Sequence, residues 1–440
     1  MRSEPAEAHP VLIVGGGFSG VMTAAHLAAR DIPVVLVDGS GRLGRGVAYS
    51  TRDPVHLLNV TTSKMSAWPD QPNHFARWCG DEEGLDFAER RAFGRYLGEQ
   101  LAAAPGVKAI DAMAVDARRQ GEGWEVILSD GQIIAASALI LAQGNQPPTP
   151  FPGSAGLPPE LFVNNPWSET AHAGVERVAA EGSDVLILGT GLTMVDTVLS
   201  LVAAGHEGRI TALSRRGLIP RGHVHPPSAP APVALDEVPL GNLLSLWRWL
   251  RRRSATVGFR AAVDALRPHS HAIWQRLPEG EQRRFMRHAR PWWDVHRHRI
   301  APQVAEQLRA LVAAGRLEIV AGRVGKMEAD GGTLRVPIAR RDGRDTVREV
   351  GVAFNCTGPL GDIRRTADPL LRSLLDQGAV RTDDFAMGLE VDDHSRAGEQ
   401  LWALGPLTKG RYWEIVAVPD IRHQAEAVAA DVQKELLIHV

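Results

Sequence analysis

The sequence contains little cysteine, since Cys79 and Cys356 are the only two among 440 residues. They lie far apart along the chain. This scarcity argues against a disulfide framework, a CxxC redox pair and a cysteine-ligated zinc site. It fits a protein of the reducing cytoplasm, which is the compartment we expect.

An excess of charge of one sign is also missing. The chain has 49 Lys and Arg against 51 Asp and Glu, a net charge of -2, so its overall charge does not indicate a nucleic-acid partner. The apolar run IIAASALILA at 133–142 has only about half the length of a membrane span. The opening residues MRSEPAEAHP lack the basic and apolar regions of a signal peptide. We therefore expect neither a transmembrane segment nor a leader; the oligomeric state is not readable from the sequence.

What the chain does have is a pair of glycine-rich turns, each between an apolar run and a helical pattern. VLIVGGGFSG begins at Val11, and VLILGTGLTMVDTVLSL begins at Val185. In such a turn the first glycine permits the tight bend, the second lets the backbone approach a pyrophosphate, and the third lets helix and strand pack closely. The helix N terminus then supplies N–H groups to the phosphates. The second turn carries Met194 at the third position, which predicts a slightly wider separation of helix and strand with the phosphate contacts intact.

The strand after each turn ends differently. In the first module, Asp38 ends the strand that follows the turn and its helix, 23 positions after Gly15. At that distance a carboxylate can accept hydrogen bonds from a ribose 2′-hydroxyl. The second strand instead ends in Ser214, Arg215 and Arg216. Guanidinium groups pair well with a 2′-phosphate, so the second turn is expected to prefer NADPH, with NADH possible. The alternative is that these arginines are solvated surface charge.

The element pattern predicts an α/β fold with two Rossmann-like dinucleotide-binding domains. A proline-rich stretch at 146–153 is a plausible connector between them. The region of about 240–313 is expected to be a helical insertion rich in Arg and Trp. Its thirteen arginines between 248 and 299 favour a lid that attracts an anionic substrate, although such a pattern also occurs in surfaces for nucleic acid or lipid. His223 and His225 have a spacing open to metal binding, but without a third ligand no metal site is expected.

The sequence resembles the flavoproteins with two dinucleotide-binding domains, a superfamily that includes flavin-containing and N-hydroxylating monooxygenases. It is more closely similar to a bacterial FAD-NAD(P)-binding family that includes a type of FAD-dependent urate hydroxylase. The stretches that carry this resemblance are GRLGRGVAYST at 41–51, HLLNV at 56–60, RRAFGRYL at 90–97, GTGLTMVD at 189–196, SRRGLIPRGH at 214–223, FNCTGP at 354–359 and YWEIVAVPDIRHQA at 412–425.

The resemblance implies a discontinuous FAD domain, 1–165 and 359–440, with the NAD(P)H domain at 166–358. It implies that Pro406 stands where many relatives have an aspartate that contacts the ribityl chain, and that Gln143 replaces a common threonine. No catalytic residue is identified. The cofactor-binding residues expected are, in chain order, Gly15, Gly17, Phe18, Ser19, Gly20, Asp38, Arg45, Asn59, Gly144, Asn145, Gly189, Gly191, Leu192, Thr193, Arg215, Arg216, Gly405, Pro406 and Trp413.

Two dinucleotide turns suggest one nucleotide held permanently and one exchanged, and FAD is the natural hydride acceptor for a nicotinamide. We therefore expect FAD and NADPH as cofactors, with O₂ and a small organic molecule as substrates. Electron transfer to a disulfide is disfavoured because the chain has no thiol pair. The favoured function is hydroxylation of a small anionic compound, with a urate-like purine as one candidate, through a C4a-hydroperoxyflavin in a dry pocket. The alternatives are an NAD(P)H oxidase or reductase and a flavin-binding regulatory protein without turnover.

Overall fold

A computed structural model of the chain describes residues 9–438. These residues divide into two compact units. The first unit comprises 9–54, 61–146 and 360–438, and the second comprises 55–60 and 147–359. Among the described helices, none has the length and apolar composition that crossing a membrane requires.

Within residues 9–438, seventeen strands form three sheets. The strands are β1 (Val11–Val14), β2 (Val34–Val37), β3 (Val107–Ile110), β4 (Ala114–Gln120), β5 (Gly123–Leu128), β6 (Ile133–Ala136), β7 (Ala138–Leu141), β8 (Phe162–Val163), β9 (Val185–Leu188), β10 (Ile210–Ser214), β11 (Leu317–Val324), β12 (Glu328–Asp330), β13 (Thr333–Arg340), β14 (Thr346–Val350), β15 (Val352–Asn355), β16 (Arg396–Gly398) and β17 (Leu401–Ala403) among residues 9–438.

The α-helices of the same residues are α1 (Phe18–Ala28), α2 (Gly46–Tyr49), α3 (His74–Cys79), α4 (Arg90–Ala102), α5 (Glu169–Glu181), α6 (Leu192–Ala203), α7 (Leu243–Val257), α8 (Phe259–Leu266), α9 (Ser270–Arg276), α10 (Glu279–Arg284), α11 (Arg290–Arg297), α12 (Pro302–Ala313), α13 (Pro369–Asp376) and α14 (Val418–Ile438). Short helical turns of other types lie at 62–64, 235–237, 267–269, 285–289, 363–365 and 405–408.

The first unit is built on a sheet of order β16-β17-β7-β1-β2-β3. Strand β1 pairs in parallel with β2 and with β7, and all three strands are fully buried. Parallel strands of this kind need cover on both faces, which explains their continuous apolar runs. Helix α1 packs beside α4 and α14. Alternate residues such as Leu12 and Val14 share a core with the small antiparallel sheet β4-β5-β6 and with α13.

The second unit repeats this plan around a sheet of order β12-β13-β11-β10-β9-β15-β8, with β14 beside β13. Strand β9 lies between β10 and β15 and is parallel to both. Together with the first unit, this confirms the predicted α/β fold with two Rossmann-like domains. The insertion predicted at about 240–313 is indeed helical, and α7, α8 and α9 enclose a small apolar core of their own that includes Leu266 and Ile273.

The boundaries of the compact units differ from the predicted domain boundaries in three places. The smallest difference is Pro359, which was assigned to the first domain and belongs to the second unit. Residues 147–165 belong to the second unit because β8 pairs with β15 in the second sheet. Residues 55–60, within the range assigned to the first domain, also belong to the second unit. The sequence prediction therefore assigned these segments to the wrong compact unit, because it used only their position along the chain.

Candidate functional site

Gly15 forms the bend between β1 and α1. Its N–H donates to the Val37 carbonyl at 2.8 Å, and its φ of 108° favours glycine. A Cβ atom at this position would lie well under 3.0 Å from the carbonyl oxygen of Ala142. That carbonyl cannot easily move, because the Ala142 N–H donates to Val14 at 2.8 Å within the sheet. Gly15 is therefore required by the backbone of the turn.

Gly20 and Gly17 serve different purposes in the same turn. A Cβ atom on Gly20 would overlap the carbonyl oxygen of Gly15, so this glycine lets α1 lie directly on the turn. On Gly17, by contrast, a Cβ atom would meet its nearest neighbour, the Cα of Gly46, at an ordinary 3.5 Å. Packing within the protein therefore does not require glycine at position 17, and the open space there fits a closely approaching phosphate.

Asp38 follows β2 and faces the turn. One carboxylate oxygen accepts the Gly16 N–H at 2.6 Å, and the other accepts the Ser40 N–H at 2.8 Å. The residue is only half-buried. The Ser40 hydroxyl also donates to that second oxygen. Since each carboxylate oxygen has two lone pairs, the oxygen that accepts the Gly16 N–H retains acceptor capacity for a ribose hydroxyl. The structure thus places the acid at the turn, as its spacing predicts.

The loop after Asp38 lies against the glycine turn. The Gly44 N–H donates to the Gly16 carbonyl at 2.8 Å, and a Cβ atom on Gly46 would lie 3.0 Å from the Cα of Gly17. Both glycines have positive φ. The signal for this role was the repeated glycine in GRLGRG. Arg45, within this loop, is exposed and begins α2.

Residues from the distant C-terminal part of the first unit reach the start of α1. Gly405 has a φ of 60°, and a Cβ atom there would lie 2.8 Å from the Ser19 hydroxyl oxygen. The Gly405 N–H donates to the Gln424 side chain on α14 at 2.8 Å. Lys409 donates to the side chain of Asn145 at 2.8 Å. Four predicted residues are therefore brought to this end of the sheet, and they are Ser19, Asn145, Gly405 and its neighbour Pro406.

Three further predicted residues of the first unit are Phe18, Gly144 and Trp413. Phe18 is buried at the start of α1, with its ring 6.1 Å from that of Phe93. Gly144 follows β7 with a φ of 69° and open space at its Cβ position. Trp413 is half-buried in the turn before α14. Gln143, where the resemblance led us to expect threonine, donates to Asp368 at 3.3 Å.

The turn of the second unit has the same backbone geometry at its first glycine. Gly189 has a φ of 106°, its N–H donates to the Leu213 carbonyl at 2.8 Å, and a Cβ atom would collide with the Cys356 carbonyl. Gly191 then begins α6, and no atom lies within 4 Å of its Cβ position. The glycine at 191 is therefore unexplained by packing, which again fits a phosphate that approaches the backbone. Leu192 and Thr193 are the first two residues of α6.

Met194 occupies the position that corresponds to Gly20 and is fully buried. The first helical hydrogen bond of α6, from the Val195 N–H to Gly191, measures 3.3 Å, against 3.0 Å for its counterpart in α1 between Val21 and Gly17. The second turn is thus looser and accommodates a side chain where the first has none.

Replacement of Met194 by alanine is expected to lower the free energy of unfolding by about 2–5 kcal/mol, since a buried methionine leaves a cavity. Urea denaturation followed by circular dichroism measures this change. Met113, whose side chain is 46% exposed, gives the matched control, and Met113→Ala should have little effect. Equal stability of Met194→Ala and the wild type would contradict the assigned packing role.

The end of β10 differs from the end of β2 in its charge. Ser214 takes the place of Asp38, and its hydroxyl oxygen bonds the Thr190 hydroxyl at 2.8 Å and accepts the Gly217 N–H at 3.0 Å. Arg215 is exposed and Arg216 half-buried. Neither guanidinium forms a hydrogen bond or an ion pair within residues 9–438. Two uncommitted positive charges therefore stand where the first unit carries a carboxylate.

The N termini of α1 and α6 have no side chain that caps them. Each starts at a glycine, and neither has an acidic residue in its first turn. Helices α5 and α13, by comparison, are capped by Ser168 and Asp368. Uncapped N–H groups and the positive end of the helix dipole form an anion site. Both turns therefore fit the pyrophosphate of a dinucleotide.

Asn59 and the two loop histidines lie in the second unit. The Asn59 carbonyl accepts a hydrogen bond from Nε2 of His223 at 3.0 Å, and His225 is exposed. Within the described residues, no group of three or more His, Cys, Asp or Glu side chains has an arrangement that could hold a metal ion.

Comparison with known proteins agrees with this geometry. A family model described as FAD-NAD(P)-binding matches residues 12–146. The match ends where the first unit is interrupted, after Gln146.

The curated proteins to which this chain is similar include monooxygenases. Indole-3-pyruvate monooxygenase YUCCA1 of Oryza sativa subsp. japonica is 25% identical over 211 residues, which are 48% of this chain and 49% of that protein. The chain thus spans about half the length of this curated relative.

Two solved structures show the fold over nearly the whole chain. Ornithine N-hydroxylase of Kutzneria sp. 744, with reduced FAD, NADP⁺ and L-ornithine, has a TM-score of 0.63 at 14% identity, covering 98% of this chain and 100% of its own. Bacillithiol disulfide reductase of Staphylococcus aureus has a TM-score of 0.58 at 13% identity, covering 98% and 99%. The chain therefore shares the fold of these two structures, one a hydroxylase and the other a disulfide reductase.

Proposed function

We propose that the chain is an FAD-dependent, NAD(P)H-consuming monooxygenase. The observation that carries this proposal is the pair of uncapped glycine turns at Gly15 and Gly189. The strand after the first turn is followed by a carboxylate, and the strand after the second is followed by two guanidinium groups. Two turns with different surroundings suit two different dinucleotides. Bound FAD would supply hydride acceptance from a nicotinamide and reaction with O₂. The similarity to YUCCA1 supports oxygenation as the outcome.

In the first unit, the N terminus of α1 would bind the FAD pyrophosphate next to Gly17. Asp38 would accept hydrogen bonds from the ribose. Gly405, held by Gln424 and adjacent to Ser19, would allow the flavin part of the cofactor to pass close to the backbone. In this assignment, residues from segments far apart in the chain would contact FAD together. Their combined contacts would explain why FAD stays bound permanently.

In the second unit, the N terminus of α6 would bind the nicotinamide dinucleotide next to Gly191. Arg215 and Arg216 would pair with a 2′-phosphate, and Ser214 in place of an acid removes a charge that would repel it. We therefore propose NADPH as the preferred reductant. The longer first hydrogen bond of α6, from the Val195 N–H to Gly191, suits a nucleotide that leaves after every turnover.

The cysteines argue against a disulfide reductase, although the fold allows one. Burial raises the pKa of the Cys356 thiol to about 12. Partial desolvation and the neighbouring Asp81 carboxylate raise the pKa of the Cys79 thiol to about 11. Since the thiolate is the form that attacks a disulfide, these raised pKa values disfavour both cysteines as attacking groups at neutral pH. The two free thiols also support our proposal of the cytoplasm as the compartment.

The helical insertion supports a small anionic substrate, with a urate-like purine as one candidate. Arginines outnumber acids there, and several exposed guanidinium groups have no hydrogen bond or ion pair within the described residues. These are Arg248, Arg251, Arg252, Arg276 and Arg287. Uncommitted positive charge raises the local concentration of anions and so favours such a substrate.

The proposal is tested by loading the purified protein with FAD and following NADPH oxidation in air with a panel of organic anions. One substrate should accelerate NADPH consumption and yield little hydrogen peroxide. Hydrogen peroxide equal to the NADPH consumed with every compound would instead show an oxidase. A protein that does not take up FAD would overturn the proposal.

A further inference from the structure

Two distant segments of the second unit, 221–223 and 295–300, lie side by side. The Arg221 carbonyl accepts the Ile300 N–H at 3.0 Å. The residue after Arg221 continues this pairing as a parallel bridge with Ile300. The pairing brings Arg221 and Arg299 from distant parts of the sequence to adjacent places in the fold.

Arg299 is buried and is fully engaged by partners within the protein. Its side chain is 3% exposed, and its two terminal nitrogens donate to the two carboxylate oxygens of Asp264 at 3.0 and 2.9 Å. Its Nε donates to the His296 carbonyl at 2.8 Å. Both oxygens of Asp264 are thus engaged by Arg299, and this carboxylate forms no ion pair with a second arginine within the described residues.

Arg260 lies next to this pair, and its charge has no carboxylate in contact with it. Its Nε and Nη2 donate to the Gly222 carbonyl at 3.2 and 2.9 Å, and its guanidinium lies over the Phe259 ring, 4.5 Å from the ring centre. Its own carbonyl accepts Nη2 of Arg299 at 3.3 Å. A carbonyl and an aromatic ring orient a guanidinium without neutralising it. Within residues 9–438, Nη1 of Arg260 makes no hydrogen bond.

Arg221 adds a third guanidinium group to this place. The residue is exposed, and its guanidinium forms no hydrogen bond or ion pair in the part of the chain that the structure describes. Burial and the charges of Arg299 and Arg221 hold the pKa of Arg260 below its usual value, while Asp264 acts in the opposite direction. Three guanidinium groups therefore share one ion-pair partner among the described residues, and such an excess of positive charge attracts anions.

We propose that Arg221 and Arg260 form a binding site for the carboxylate or phosphate group of a small molecule. Guanidinium groups bind both kinds of group through charge-assisted hydrogen bonds, which are often paired. Arg260 would offer Nη1 from a fixed position, and Arg221, which no other side chain holds, can turn towards the same anion. The proposal goes beyond the proposed function, since the site requires neither FAD nor NADPH and uses neither Arg215 nor Arg216.

Modification by phenylglyoxal, which reacts with arginine side chains, tests the site when the modified peptides are mapped by mass spectrometry. The probes are benzoate and inorganic phosphate, each added at constant ionic strength to the purified protein without NADPH. At a probe concentration of about twice its Kd, modification of Arg221 should slow about threefold, because the unoccupied fraction of the site falls to about a third. Arg323, an exposed arginine of β11 without a hydrogen bond or ion pair in the described residues, should react at an unchanged rate in the same sample.

The two probes distinguish the chemical sources of the anion. Protection of Arg221 by benzoate alone supports a carboxylate ligand, protection by phosphate alone supports a phosphate ligand, and protection by both supports a site that accepts either group. Arg260→Gln should lose the protection, because a neutral side chain cannot supply the second charge. Its own modification rate without a probe at Arg323 gives the control for folding.

A second variant keeps the test decisive if Arg260→Gln does not fold. The Arg221 side chain makes no bond within the described residues, so Arg221→Gln removes no contact that supports the fold. The rise in Tm that the protecting probe causes in the wild type should be smaller in Arg221→Gln and unchanged in Arg323→Gln.

The proposal is overturned if neither probe slows modification of Arg221, if Arg323 is slowed to the same extent, or if Arg260→Gln keeps the protection. An equal rise in Tm in Arg221→Gln and the wild type would also contradict it. Failure of the proposed function gives a different result, in which the protein takes up no FAD or oxidises no NADPH while protection of Arg221 persists.

Discussion

Gly15→Ala is expected to yield a protein that no longer retains FAD. Alanine at a φ of 108° is strained, and its Cβ would overlap the Ala142 carbonyl oxygen. Overpacking of this kind typically costs about 1–3 kcal/mol or more when the obstacle is backbone. The turn can relieve the overlap only by moving away from β7, which would displace the start of α1. FAD content after purification, measured from the flavin absorption spectrum, checks this result.

Two controls separate a local effect from misfolding. Gly98→Ala adds the same methyl group in α4, where no atom lies within 4 Å of the Cβ position, and it should retain FAD. Binding of NADPH to the second unit of Gly15→Ala should persist, because that turn is built from other residues. Stoichiometric FAD in Gly15→Ala would show that this turn does not hold the cofactor.

The double substitution Arg215→Ala and Arg216→Ala is expected to lower kcat/KM for NADPH by about 100-fold while kcat/KM for NADH changes little. The reason is that a hydrogen bond to a charged group contributes about 1.5–3 kcal/mol, and each arginine is free to make such a bond with the 2′-phosphate. NADH has no such phosphate, so its binding should be insensitive to the substitutions. Initial rates with both nucleotides measure the change in preference.

Arg323→Ala provides the matched control, because this exposed arginine of β11 also lacks a hydrogen bond or ion pair within the described residues. It should leave both kcat/KM values unchanged. Ser214→Asp should shift the preference towards NADH, since a carboxylate there repels a 2′-phosphate. An equal loss with both nucleotides in the double variant would show that the arginines support the fold or the flavin instead.

The local features of both units were predictable from the sequence. The turns at Gly15 and Gly189 combine buried strand, glycine spacing and helix within about twenty residues, so their geometry depends on neighbours in the chain. The position of Asp38 followed from the length of one βαβ unit. The turn between β5 and β6, at Asp130 and Gly131, is equally local, with the Gly131 N–H donating to Leu128 at 3.0 Å.

The features that were missed depend on long-range pairing. Strand β8 has two residues, which carry no periodic signal, and only its pairing with β15 assigns 147–165 to the second unit. The segment VHLLNV at 55–60 has no pattern that separates it from other apolar stretches, and the contact of the Asn59 carbonyl with His223 depends on residues far along the chain. The role of Gly46 beside Gly17 likewise depends on how the loop folds back. Whether the predicted residues bind their cofactors stays a prediction.

The central claim is that electrons from NADPH reach O₂ at the bound FAD and that one oxygen atom enters an organic substrate. The most direct measurement is the mass of the product formed when the FAD-loaded protein turns over with NADPH and isotopically labelled dioxygen. We predict one labelled oxygen atom per product molecule, with one NADPH consumed for each. A product without label, or label recovered only in hydrogen peroxide and water with every substrate, would contradict the account.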